Sequence, residues 1–307
     1  MQRFNLQQSM FALCCFVSPL VLAKGAQVAQ FAQTESFNES LQFEQKHEDN
    51  QLIVFNVYGS VDVEGHDGDE IIIMAKNTVA ARTQKLVDLG LDEIGLKIET
   101  QGQKIFAYLD SPYTYIDLEA GKVWHSDTCW RHDDCSRKHP ERKDYKYHMD
   151  LVVKVPQHTN IQVSTINAGD ITVSGVHAKS LMVDNINGAI DMVNVSGQTR
   201  VNSINKDINV AFSRNPTDGS QFQSINGDIN ITFADSPDAI VVYQTMHGEM
   251  YSAFDVSMMA PELQRTSQKK EHGIQYKLDA ENRLMVGKGG PEYRFETLNG
   301  DIKIQRQ

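Results

Sequence analysis

From Leu151 onward the chain keeps returning to one short pattern. Val163 opens VSTINAGDITV. The pattern comes back as VDNINGAIDMV from Val183, VNSINKDINV from Val201, FQSINGDINI from Phe222, YQTMHGEMYS from Tyr243 and FETLNGDIKI from Phe295. The apolar residue ahead of each turn falls at Ile166, Ile186, Ile204, Ile225 and Met246, in steps of 20, 18, 21 and 21 residues. A further copy, at Leu298, comes 52 residues after Met246, so an insertion over 253–291 separates it. A short unit with one apolar face cannot bury that face alone. Copies must stack and cover one another, which limits the chain to repeat architectures.

Within a copy, Ile208 and Val210 flank Asn209, Ile229 and Ile231 flank Asn230, and Ile302 and Ile304 flank Lys303. This alternation marks a strand with one apolar and one polar face. The turn before it carries Asn167, Asn187, Asn205, Asn226 or Asn299, which tolerate left-handed backbone and can bond amide to amide with the next copy. Gly188, Gly227, Gly248 and Gly300 follow, and are predicted to supply positive φ at the corner. Lys206 replaces that glycine in one copy, and Ala168 is an extra residue in another. The pattern predicts a β-solenoid of stacked rungs. Asn-Gly is also a strong hairpin turn, so a row of hairpins forming a sandwich or barrel is the rival. Both are all-β.

The N-terminus speaks to compartment. Arg3 precedes an apolar run from Met10 to Leu22, and Val21-Leu22-Ala23 offers small residues where a signal peptidase cuts. Residues 1–23 therefore read as a cleaved signal peptide, too short to span a bilayer, with no transmembrane segment expected after cleavage. Cleavage removes Arg3 and no acid, taking the formal net charge from −11 to −12. Such a chain has no basic stripe for nucleic acid and is repelled by anionic lipid or glycan. Cleavage also leaves Cys129 and Cys135 as the remaining cysteines. In an oxidising compartment they are expected to form a disulfide, with a zinc site using Cys129, Cys135 and two of His125, His132 and His139 as the alternative.

Residues 24–50 are Gln-rich and read as a linker or a frayed first strand. Residues 51–150 read as a decorated N-terminal β region, with strand–turn–strand patterns over 57–75 and 96–109. A short helix is predicted over 77–91. Residues 119–147 form a polar, charge-dense excursion that holds both cysteines, and 151–307 hold the repeats.

The stretch GSVDVEGHDGDEIIIMA, the serial S-I-N-G-D-I copies and the ending GGPEYRFETLNGDIKIQ together resemble the bacterial putative-adhesin family of uncharacterised exported β-solenoid proteins. In repeat style they are similar to head GIN domain proteins. The resemblance covers about residues 50–307 and implies a right-handed stacked β fold with a role in the cell envelope, periplasmic or at the surface. It carries no catalytic residues, and the excursion at 119–147 departs from the family's pattern.

Three groups of residues could carry chemistry. Asp170, Asp207, Asp228, Glu249 and Asp301 follow the corners, with Ala189 breaking the row. They read as turn-closing residues, each bonding within its own turn. A Ca²⁺ ladder or a polysaccharide-cleaving acid pair are the alternatives. His125, Asp127, His132, Asp133, Asp134 and His139 could hold a metal, or simply form a solvated loop. Serines and histidines are scattered and no nucleophile elbow is present. The expectation is an envelope scaffold or adhesin-like binding protein. It would use no catalysis and no cofactor, and would act on an envelope protein or polymer through its β surface. An accessory role in envelope-stress sensing and a polysaccharide-acting β-helix enzyme are the alternatives. Oligomeric state is open.

Overall fold

A computed structural model of the chain describes residues 31–117, 119, 122–125, 144–270 and 273–307. The predicted signal peptide and the Cys129–Cys135 pair lie outside the described residues. The N-terminal part contains β1 (Phe31–Leu41), β2 (Gln51–Phe55), β3 (Val61–His66), β4 (Ile71–Ala81), α1 (Gln84–Glu93), β5 (Gly95–Gln101), β6 (Lys104–Asp110), β7 (Thr114–Asp117), β8 (Lys122–His125) and β9 (Tyr145–Pro156). The repeats supply β10 (Asn160–Thr165), β11 (Ile171–Ser174), β12 (His177–Asn185), β13 (Ile190–Ser203), β14 (Ile208–Phe212), β15 (Ser220–Gln223), β16 (Ile229–Phe233), β17 (Ala239–Thr245) and β18 (Met250–Ser252). Then come β19 (Val256–Met258), β20 (Glu262–Lys270), β21 (Gly273–Val286), β22 (Glu292–Thr297) and β23 (Ile302–Arg306). The described residues are all-β apart from one helix.

The strands line up in two long ladders. The first runs β1–β4–β9–β3–β11–β13–β14–β16–β23–β18, parallel from β9 onward. The second runs β5–β6–β2–β10–β12–β13–β15–β22–β17–β21, parallel from β6 to β17. Each pass of the repeat adds one strand to each ladder. The start of β13 pairs in the first ladder; the chain then bends near Asn194, where φ is 55°, and the rest of β13 pairs in the second.

Register sets like upon like. Ile171, Ile190, Ile208, Ile229 and Ile302 are successive partners in the first ladder. Val163, Val183, Val201, Phe222 and Phe295 are successive partners in the second. All ten are fully buried, and each contributes roughly 1.5–3 kcal/mol of transfer free energy. Aromatic rings stack through the same core, with Phe222 over Phe295 at 5.2 Å and Phe233 over Tyr293 at 5.4 Å.

Four features differ from expectation. Residues 31–41, within the stretch read as a linker or a frayed first strand, are β1, paired along its whole length with β4 and not frayed. The predicted helix over 77–91 begins only after the Thr83 cap, because Asn77, Val79 and Ala81 are alternately buried and continue β4. Residues 51–66 add one strand to each ladder without the repeat's signature, with Val54 on Val163 and Val61 on Ile171. Stacking order also departs from sequence order. The strands β22 and β23 lie between β15 and β16 on one side and β17 and β18 on the other, so Asn226 sits between Asn205 and Asn299. The 253–291 insertion allows this: β21 runs back antiparallel along β17 before the chain enters the place between the two rungs.

Candidate binding site

Each corner is built from the same few residues, and 224–229 shows how. Ser224 is buried, and its Oγ accepts the Gly227 N–H at 3.0 Å. Ser203 donates to the Lys206 carbonyl at 2.8 Å, and Asn185 accepts from Gly188 N–H at 3.1 Å. Thr297 accepts from Gly300 N–H and donates to the Gly227 carbonyl, both at 3.2 Å. These small polar side chains satisfy backbone groups that the tight corner leaves without ladder partners. Their signal in the sequence is an S, T or N ahead of every turn: Thr165, Asn185, Ser203, Ser224, Thr245 and Thr297.

The asparagines form an external ladder. Asn187 donates to Asn167 at 2.6 Å, Asn205 to Asn187 at 2.7 Å, Asn226 to Asn205 at 2.9 Å and Asn299 to Asn226 at 2.7 Å. Their backbones are not left-handed. Among the described residues only Ala168 and Asn194 are non-glycines with positive φ. Nor do Gly188, Gly227, Gly248 and Gly300 have the positive φ expected of them. Their reason is stacking. A Cβ on Gly227 would run into the Lys206 carbonyl oxygen, and one on Gly300 into that of Gly227.

The acids cap the neighbouring rung, not their own turn. Asp170 accepts from Ala189 N–H at 2.8 Å, Asp207 from Asp228 N–H at 2.9 Å, Asp228 from Asp301 N–H at 2.9 Å and Asp301 from Glu249 N–H at 3.0 Å. Lys303 holds the other Asp228 oxygen at 2.8 Å, and its hydrogen bond draws the Asp228 carboxyl below the usual range. No group of three or more His, Cys, Asp and Glu placed to hold a metal occurs among the described residues. Asp127, His132, Asp133, Asp134 and His139, and the side chain of His125, lie outside them.

Beside the corners, on the outer face of the second ladder, lies a trough of about 550 Å³. Its floor has one residue per rung: Asn202, Gln223, Glu296 and Gln244, successive partners in the ladder. Gln223 Nε2 donates to Glu296 at 2.6 Å, and Asn202 Nδ2 donates to Asp184 at 2.5 Å. Burial raises the Asp184 pKa, against the Asn202 hydrogen bond and the charge of Arg200. The wall is apolar and exposed, made of Ile225 at 42%, Leu298 at 38% and Met246 at 67%. The floor residues alternate in sequence with core residues, such as Gln223 after Phe222, so period-two reading could have found them. No helix among the described residues is long and apolar enough to cross a membrane.

Among solved structures, the chain is similar to a putative cell adhesion protein from Clostridium sporogenes, at 11% identity and a TM-score of 0.40, over 90% of this chain and 100% of that one. A putative adhesin from Bacteroides fragilis is similar at 10% identity and a TM-score of 0.30, over 89% of this chain and 97% of that one. No curated protein matches. The model of one family, Toastrack DUF4097, matches residues 150–305, a span that holds the corners of the repeated motif and the whole trough. The chain, with just over half its length inside that match, belongs to the Toastrack DUF4097 family.

Proposed function

We propose that this chain is an exported, adhesin-like binding protein that performs no catalysis and presents the trough as its binding surface on a rigid β-solenoid body. The observation that carries the reading is the placement of exposed apolar side chains. Ile225, Leu298 and Met246 stand in one line on three neighbouring rungs, beside a floor of ordered polar groups. Large apolar side chains aligned and left open along one face mark an interaction surface. The parallel register and the coil that visits both ladders in turn support a solenoid, and a stack of this kind offers a stiff, repeating face. The corner acids support a non-catalytic role. Their oxygens are engaged by backbone N–H groups, and Asp228 is pulled toward a lower pKa, the opposite of what a general acid needs.

The test uses protein isolated from the periplasm, where it is expected to begin near Lys24. It should co-sediment with envelopes of the producing cell. A variant carrying Met246→Asp and Leu298→Asp should lose co-sedimentation while melting at the unchanged temperature. Equal sedimentation of the variant would remove the trough from the reading. Release of new reducing ends from envelope polysaccharide, abolished by Asp228→Asn, would establish the enzyme reading instead.

A further inference from the structure

Resting on that reading, we propose that the trough binds a neutral linear polysaccharide laid along the stack, one sugar ring to each rung. Rungs in a stacked sheet lie ~4.8 Å apart, so four floor residues span roughly 14 Å. A pyranose unit in an extended chain advances by nearly the same step as a rung. The floor therefore meets a linear glycan in register, one hydrogen-bonding side chain per ring: Asn202, Gln223, Glu296 and Gln244. Two of these are already oriented by their neighbours, Asn202 on Asp184 and Gln223 on Glu296. Less ordering entropy is then lost when hydroxyls dock. The Ile225, Leu298 and Met246 wall faces the same line and suits the C–H faces of the rings.

Charge and geometry decide against the other classes of occupant. The chain carries a formal net charge of −11, and the floor itself holds a carboxylate. Two cations stand on this face: Arg294 is engaged by Glu281 at 2.6 Å and Glu292 at 2.8 Å, and Arg200, in the trough lining, has its charge set against that of Asp184. An anionic polymer is disfavoured on both counts. An extended peptide gains affinity by pairing with an open sheet edge. The trough crosses strand faces whose backbone groups are already paired within the ladder. A protein partner needs about 800 Å² on each side with an apolar centre, whereas this wall is one residue wide. Single-stranded nucleic acid would require several basic side chains and aromatic ones to stack on, whereas the trough lining holds one basic residue, Arg200, and no aromatic.

Titration calorimetry of the full mature chain with linear β-1,4-linked glucose and mannose oligomers of one to six units tests this, with trigalacturonate as the anionic control. Affinity should climb with each unit up to four and then level. Gln223→Ala and Gln244→Ala should each weaken the tetramer by roughly three- to tenfold, the loss of about one hydrogen bond. Gln244→Ala should leave the melting temperature unchanged, and Gln223→Ala should lower it only by the loss of its bond to Glu296. No binding by any neutral oligomer, affinity independent of length, or binding of the anionic oligomer alone would overturn the proposal. Envelope co-sedimentation separates the two readings: if it persists while the neutral oligomers fail, the ligand class is wrong and the binding surface stands.

Discussion

Gly227 shows how one residue's role is set by the rung beside it. Its own φ is ordinary, but any Cβ there meets the Lys206 carbonyl. Gly227→Ala is therefore expected to cost about 2–4 kcal/mol, by forcing two rungs apart. Asn226→Ala, which removes exposed amide bonds to Asn205 and Asn299, should cost about 1 kcal/mol. Urea melts of the two variants check the order, and a milder effect at Gly227 would show that the corner relaxes. Asn and Gly were legible as corner residues because they recur at one place in each copy. Their physical reason was not legible. A turn can be read locally, whereas contact with a carbonyl some 20 residues away cannot. The buried Ser224 and Thr297 escaped notice for the same reason, since a serine beside a turn looks solvated until the stack closes over it.

Strands were readable wherever burial alternates, as in β14, β16 and β23. β4 was half missed because Asn77 hides its alternation. Its side chain is buried and donates to the Ile94 carbonyl at 2.9 Å, a partner that only the fold supplies. The outer face of the second ladder yields a prediction about pH. Asp184 sits in register between Ser164 and Asn202, where burial raises its pKa. A carboxyl with a raised folded pKa contributes stability that is present below the unfolded value and lost as pH rises through the folded one. Asp184→Asn should thus raise the melting temperature at pH 7, keep the bond with Asn202, and lose that advantage below about pH 4, where the unfolded carboxyl is protonated too. Thermal melts from pH 3 to pH 7 check this; a destabilised variant at pH 7 would mean that the charge of Arg200 outweighs burial.

Across the whole molecule, the order of rungs is the feature that sequence could not disclose. Copies at 222, 243 and 295 look alike, and nothing local says that the last of them stacks between the other two. The ladders do say what depends on it. β18 pairs with β23, and β17 reaches the rest of the second ladder through β22. Ile302→Asp would place an unpaired charge between two rungs, at a cost of several kcal/mol. Hydrogen-exchange mass spectrometry should then show protection lost in β17 and β18 as well as in β22 and β23, while β10 to β13 stay slow. Loss confined to residues 292–306 would mean that the outer rung docks independently. The same arrangement governs how the body carries load. A strand at the rim of a sheet peels under tension, its bonds opening one after another. β22 and β23 have a parallel neighbour on either side, so a pull along them strains both rows of backbone bonds together, in shear. Force delivered through that pair of strands is shared by the two pairs that hold it, at the place where the candidate binding face is also anchored.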